Sequence, residues 1–429
     1  MNKQISATGS ANAQADLIQW KTDAWKDPNM VSWYSSRMVQ SESTNLLKNT
    51  VEVNTIKRHV TGRKIIDIGV GTGRAALPLV ADGYDVTGVD SSQAMLDETR
   101  RLAGNAPIAL QVGDVVRLPY EDAIFDCAVS LNVLVHFPNW REALLEWKRV
   151  VRPGGRLIFD IHTQDHVIAA CGADKSRWPD ALRATEDPNS FGAYMSRASI
   201  DELVEFADAA GFVVKTVVPY GAFFGGGNIN WLLYSQLEQK ASWKRTLSWF
   251  ARDQGLLDLG LFIEQSIVAN LSPKATGRMF VVLDNKADTA ANARFAADIA
   301  ARNQAFESLD VASLMSSFPL SAAGFAAEFD RRLTPLRNRH FFFLLFSSIR
   351  TRFPAFDFGG LISADMMREL SDWAVSNALD QKATQIARSW SAGMDGRFKS
   401  GVDVTIGAEY NLVRALLSEY FGIFDGAQQ

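Results

Sequence analysis

The sequence predicts an α/β fold built on a doubly wound, mostly parallel sheet. Three observations predict it. First, Lys64-Ile65-Ile66-Asp67-Ile68 is a short apolar run that ends in Gly69-Val70-Gly71-Thr72-Gly73-Arg74, before a helix-forming segment. That order reads as strand, tight turn, helix. Second, further short apolar runs alternate with helical patterns through residue 162, as successive βα units require. Third, the second of these runs ends on a carboxylate, Asp90, about twenty residues beyond the glycine turn, where such folds hold a ribose.

Bulk properties set broad limits. A chain of 429 residues has room for two or three domains. Its formal net charge of −4 gives no general attraction to nucleic acid or acidic membranes. The two cysteines, Cys127 and Cys171, have no metal-type spacing and suggest no disulfide framework. The first residues carry no apolar signal-peptide core, and the longest strongly apolar run, Phe341 to Phe346, is too short to span a bilayer. The expected location is cytoplasmic.

Residues 1–60 form an N-terminal helical region in this reading, with Leu46, Val53, Ile56 and Val60 keeping helical spacing into the first strand. After the glycine turn, a helix from Ala75 to Ala81 contains Pro78 and stops at Gly83. A second strand, Tyr84 to Val89, leads to Asp90, and Ser91 or Ser92 caps the following helix. The third strand runs from Pro107 to Val112 and ends at Gly113-Asp114. The fourth runs from Ile124 to Leu131. A helix from Trp140 to Val151 then stops at Arg152-Pro153-Gly154-Gly155, and the fifth strand is Arg156 to His162. Residues 163–200 lack a clean period and read as a loop-rich cap. Ile200 to Ala210 is a helix, and the last two strands are Phe212 to Pro219 and Gly277 to Asp284.

The turn narrows the ligand. A dinucleotide fingerprint needs glycine where Arg74 stands, and Asp67 beside the turn disfavours a pyrophosphate but suits a cation. The Asp67-Ile68-Gly69-Val70-Gly71-Thr72-Gly73 segment resembles the first motif of the class I S-adenosylmethionine (SAM) methyltransferases, D/E-x-G-x-G-x-G. Val133-Leu134-Val135-His136-Phe137 and Arg149-Val150-Val151-Arg152-Pro153-Gly154-Gly155 resemble the ubiquinone/menaquinone-biosynthesis-type subgroup. The resemblance covers about residues 60–162.

It implies a seven-stranded Rossmann-like methyltransferase sheet over residues 61–286, with S-adenosyl-L-methionine as cofactor. The implied cofactor residues are Asp67, Gly69, Gly71, Gly73, Asp90, Ser91, Asp114, Val115 and Leu131, with Asp114 accepting from the adenine amino group. The resembled family often roofs its cofactor with an N-terminal helix, so Tyr34 and Arg37 are candidates for closing over SAM or an anionic substrate group. Ordinary surface positions are the competing reading. His136 and His162 sit at the carboxyl ends of the fourth and fifth strands, where an imidazole can act as base for an acceptor that must lose a proton. A purely structural hydrogen bond is the alternative for either one.

The family's last two strands form an antiparallel hairpin, yet here a helical insertion, residues 222–276, separates them. Opened by Gly225-Gly226-Gly227 and holding Trp231, Trp243 and Trp249, it reads as a lid over the acceptor or as a small core of its own. Trp231 is a candidate substrate contact. His162, His166 and Asp160 lack a defined third ligand beyond the histidine pair, so no metal is expected. The Ser130-Leu131-Asn132-Val133 segment differs from the Asn-Pro-Pro-Tyr type of DNA amino-methyltransferases, which makes nucleic acid an unexpected target.

From residue 287 to 429 the alanine-rich sequence reads as a C-terminal, mostly α-helical domain. Six arginines between Arg331 and Arg352 flank Phe341 to Phe346 with no acid among them. They suggest an anionic ligand or peripheral membrane contact, or a core helix with solvated ends. The expected activity is methyl transfer to a small-molecule or carbohydrate-like acceptor, with O-methylation first and quinone-type C-methylation second. The reading from another class is a non-catalytic scaffold that assembles through the C-terminal helices.

Overall fold

A computed structural model describes residues 4–38, 45–178, 180–221, 250–308 and 322–333. Three helices open the chain: α1 (Gln4–Ala24), α2 (Pro28–Met38) and α3 (Leu46–His59). The first βα units follow as β1 (Lys64–Ile68), α4 (Ala76–Ala81), β2 (Asp85–Asp90), α5 (Gln93–Ala103) and β3 (Ile108–Val112). Then come β4 (Phe125–Ser130), α6 (Trp140–Val150), β5 (Val151–Thr163), α7 (Gln164–Cys171), α8 (Asp180–Arg183) and the two-residue β6 (Arg197–Ala198). The described chain continues with α9 (Ile200–Ala210), β7 (Val213–Tyr220), α10 (Gln254–Phe262), β8 (Arg278–Asp284), α11 (Thr289–Glu307) and α12 (Ala322–Leu333).

The sheet order is β3-β2-β1-β4-β5-β8-β7, with β6 added to β5. β3, β2, β1, β4 and β5 are parallel, whereas β8 runs antiparallel to both β5 and β7. Strand order reverses between β1 and β4, which opens a crevice beyond their carboxyl ends. The seven expected strands are all present. β6 is an eighth, in the segment read as loops, which also holds α7 and α8.

Both faces of the sheet are covered, so its central strands are apolar throughout. Their period of two sorts side chains cleanly. Ile65, Cys127, Val129, Ile158, Phe280 and Val282 face one core with Leu47, Leu79 and Leu96. Ile66, Ala128, Leu157, Phe159, Val281 and Leu283 face the other with Trp147, Leu203 and Ile299.

The structure corrects several boundaries. β5 begins at Val151, because Pro153-Gly154-Gly155 forms a bulged entry to the strand instead of a stop before it. The buried side of α3 is Leu47, Val51, Thr55 and Ile56, with Lys48 and Glu52 among them. A charged pair inside that stripe hid it from a hydrophobic count. The described part of the insertion is core: Phe250, Leu256 and Leu259 are fully buried with Leu47 and Val51 of α3. Gly225–Gly227, Trp231, Trp243 and Trp249 lie outside the described residues.

The domain boundary at 287 also moves. α11 packs on α9 and β7 and completes the second helical layer. Asn292 fastens it: its Oδ1 accepts from the Val214 amide at 2.8 Å, and its Nδ2 donates to Asp208 at 2.7 Å and the Phe212 carbonyl at 2.9 Å. In the arginine-rich segment, Arg331 and Arg332 pair with Asp258 and Glu328, and Arg332 lies over the Phe262 ring. Its other four arginines and Phe341–Phe346 are outside the described residues. No helix among the described residues is long and apolar enough to cross a membrane.

Asn292→Ala leaves the buried Val214 amide without its acceptor. It is expected to lower stability by about 2–4 kcal/mol, read as an earlier urea midpoint. An unchanged midpoint would show that α11 is not fastened there.

Candidate functional site

A cavity of about 350 Å³ opens at the carboxyl ends of the parallel strands. Gly69 and Gly71 come to it from the β1 turn, Asp90 and Ser91 from the end of β2, and residues 131–133 and 135–137 from beyond β4. Lys21 of α1, Trp25 of the turn after it, and Trp33 and Tyr34 of α2 close it, while Gly192, Tyr194 and Met195 come from the segment before β6.

The three turn glycines answer different needs. A methyl group on Gly73 would strike Leu77 at 2.8 Å and Thr99 at 3.0 Å, so this glycine serves packing and does not line the cavity. On Gly69 it would strike Val133 at 2.3 Å. Gly71, at φ +53°, has nothing nearer than the Gly69 carbonyl at 3.9 Å, which leaves bare backbone facing the cavity. Asp90 braces this turn: its carboxylate accepts from the amides of Gly71 and Ser92, each at 2.9 Å. The Ser91 amide also donates to this carboxylate, whose remaining lone-pair capacity faces the cavity. Ser92, not Ser91, caps α5 by accepting from the Met95 amide, which leaves Ser91 on the cavity wall.

Asp67 does not line the cavity. Only 2% exposed, it lies beneath the turn and accepts from the Ala76 amide. Burial, with Asp90 nearby, raises its carboxyl to about 7. Asp114 is exposed and closes its own turn by accepting from the Val116 amide at 3.0 Å, while Val115 lines the cavity. Tyr34 lines it too. Arg37 falls within α2, but its side chain lies outside the described residues, as does all of Trp231.

Both candidate histidines reach the cavity. His162 is 2% exposed, and neither ring nitrogen has a hydrogen-bond partner among the described residues. Burial, followed by the charge of Arg278, holds its pKa well below the ordinary value. His136 lies 5.8 Å from the Trp25 ring, and burial with nearby Lys21 lowers it to about 3. Both imidazoles are therefore neutral at physiological pH. His166 points elsewhere, its Nδ1 donating to the Lys274 carbonyl at 2.8 Å.

Beneath the cavity lies a polar network that the sequence reading missed. Glu52, fully buried, pairs with Arg74 at 2.7 Å and accepts from the Tyr220 hydroxyl at 3.2 Å. Tyr220 also donates to Asp160 at 2.9 Å, and Arg278 reaches Asn132 at 2.7 Å and Asp160 at 3.4 Å. Asn132 has φ +61°, an uncommon conformation for a residue with a side chain, and its amide donates to Asp160. Burial pushes Glu52 upward, but Arg74, Lys48 and Arg278 overcome it and leave the carboxyl below its ordinary value. Charged residues at otherwise apolar positions, Glu52 on α3 and Asp160 in β5, were the legible signal.

Part of the chain is similar to known methyltransferases. Residues 66–159 match the family described as methyltransferase domain. An O-methyltransferase, resE, of Aspergillus sclerotiorum is 33% identical over 138 residues, covering 31% of this chain and 49% of that protein. The demethylmenaquinone methyltransferase of Deinococcus radiodurans is 36% identical over 100 residues, covering 22% of this chain and 42% of that protein. A solved structure from Thermotoga maritima, described as a SAM-dependent methyltransferase and possible histamine N-methyltransferase, aligns at 17% identity. It covers 60% of this chain and 97% of that chain, with a TM-score of 0.38. The chain spans about half the length of the curated relatives it matches. Over residues 66–159 the sheet and its glycine turn match a methyltransferase domain, and the cofactor that this match implies is S-adenosyl-L-methionine.

The observed residues fit that cofactor. Gly71 offers backbone approach, Asp90 keeps acceptor capacity at the strand tip, and Met95, Val115 and Leu131 supply apolar wall.

Asp67 gives a pH test of the folded protein. Its unfolded carboxyl ionises near 3.8 and its folded one near 7, so its contribution to stability is full below 3.8 and fades as pH rises to about 7. Asp67→Asn keeps an acceptor for Ala76 and should flatten that decline in urea unfolding. An unaltered pH profile would contradict a buried, raised carboxyl.

Proposed function

We propose that the chain transfers a methyl group from S-adenosyl-L-methionine to a small-molecule or carbohydrate-like acceptor, with an oxygen as the first choice of acceptor atom. The observation that carries this reading is one cavity that joins Gly71 and Asp90 to the unpartnered ring of His162. Gly69 and Gly71 would face the methionine end, Asp90 the ribose hydroxyls, and Ser91, Val115 and Leu131 the adenine side. Asp114, at the end of β3, keeps the adenine amino group as its proposed partner.

When bound, the cofactor supplies an electrophilic methyl group on a sulfonium. The protein's share is placement, holding the acceptor in line and excluding water. His162, already neutral, takes the acceptor's hydroxyl proton on a ring nitrogen that has no competing bond. His136 lies on the same wall as a second proton acceptor, and Tyr34 closes the cavity from α2.

Relatives named as O-methyltransferases support an oxygen acceptor. Relatives named demethylmenaquinone methyltransferase favour a second reading, C-methylation of a quinone-type ring, which suits the aromatic lining from Trp25, Tyr34 and Phe137.

Calorimetry with S-adenosylhomocysteine tests the reading directly. Wild type should bind, and Asp90→Ala should bind at least about tenfold more weakly, the worth of a charged hydrogen bond. His162→Ala should keep that affinity while losing about 10²–10⁴ in turnover of an O–H acceptor. No binding by wild type, or equal binding by Asp90→Ala, would defeat the proposal.

A further inference from the structure

Among the described residues the cavity wall carries three cations, Lys21, Lys48 and Arg278, against one carboxylate, Asp90. Two of the cations have acidic partners: Lys48 lies 3.8 Å from Glu52, and Arg278 lies 3.4 Å from Asp160. Lys21 differs. It is 7% exposed, and among the described residues no carboxylate lies within ion-pair distance. Its Nζ donates to the Tyr194 carbonyl at 3.1 Å and stands 5.7 Å from the Trp20 ring centroid. Lysine is almost never buried without a partner, because an ammonium loses far more hydration than one carbonyl returns. A residue kept only for packing would do better without the charge. Burial alone lowers this ammonium to about 8, so it still carries its proton at neutral pH.

Position separates Lys21 from the cofactor residues. It comes from α1 and is anchored to the segment before β6, which joins the chain beyond β4 where the Ser196 amide donates to the Val135 carbonyl. Its neighbours on the wall are Trp25, His136 and Met195, an apolar and aromatic group. Gly71 and Asp90 belong to other elements, at the ends of β1 and β2.

Building on the methyltransferase reading, we propose that the acceptor is an amphipathic acid, whose carboxylate pairs with Lys21 while its apolar body lies against Trp25 and Met195. Lys21 is then a specificity-determining residue. The acid is a recognition handle, separate from the atom that receives the methyl group near His162.

The test compares binding of naphthoate and decanoate with binding of their primary amides, with and without S-adenosylhomocysteine. Wild type should bind at least one acid about tenfold more tightly than its amide, the worth of one buried ion pair. Lys21→Met should erase that preference and Lys21→Arg should retain it, with thermal melting confirming that both fold. An absent preference in wild type, or one that survives in Lys21→Met, would overturn the proposal. So would a Lys21→Met protein that loses affinity for S-adenosylhomocysteine but not for methylthioadenosine, since Lys21 would then hold the cofactor's own carboxylate. Failure of wild type to bind S-adenosylhomocysteine would strike the methyltransferase reading alone, because the acid–amide comparison without nucleoside still decides Lys21.

Discussion

The site depends on an ion pair buried where water does not reach. Arg74, the last residue of the glycine turn, meets Glu52 on the inner face of α3 at 2.7 Å, and Glu52 is fully buried. Either charge alone would cost about 3–5 kcal/mol in such a place, so the two elements are held together. The pair clamps the N-terminal helices onto the turn. It also explains why the third glycine of a dinucleotide motif is an arginine here: the side chain that replaces it is structural. From Glu52 the network continues through Tyr220 to Asp160 and Arg278, which ties the last two strands to the same floor.

That floor sets the electrostatics above it. Burial first, then the charges of Arg278 and Lys48, disfavour protonation of His162. The scaffold thus keeps the ring neutral and able to accept a hydrogen bond, while weakening it as a base. The same positive surroundings act on His136 and bias the acceptor end toward negative charge. Asp90, the carboxylate on the cavity wall among the described residues, stands at the other end, against the Gly71 amide. The cavity is polarised: a carboxylate stands at the β2 tip and cations gather toward α1 and β8.

Much of this was legible in the sequence. The strands of the parallel sheet, the glycine turn and the Asp90 tip follow from apolar runs, glycine spacing and a carboxylate at a strand end, all local patterns. The position of Gly71 at open space and Gly73 against Leu77 was not legible, because identical residues differ only in what packs over them. Glu52 and Lys48 were missed since a hydrophobic period treats a charged helix position as solvent-facing. Lys21 lay in a polar stretch without a period. Alanine-rich composition reads α11 as part of a separate domain, while Asn292, its anchor, bonds to residues about eighty positions earlier. Contacts of that span leave no local trace.

A crystal structure of the S-adenosylhomocysteine complex tests the central claim most directly. It should place both ribose hydroxyls on the Asp90 carboxylate, the methionine end over Gly71, and the sulfur facing the side of the cavity that holds His162. Nucleoside density away from Asp90, or a sulfur turned from His162, would contradict the account.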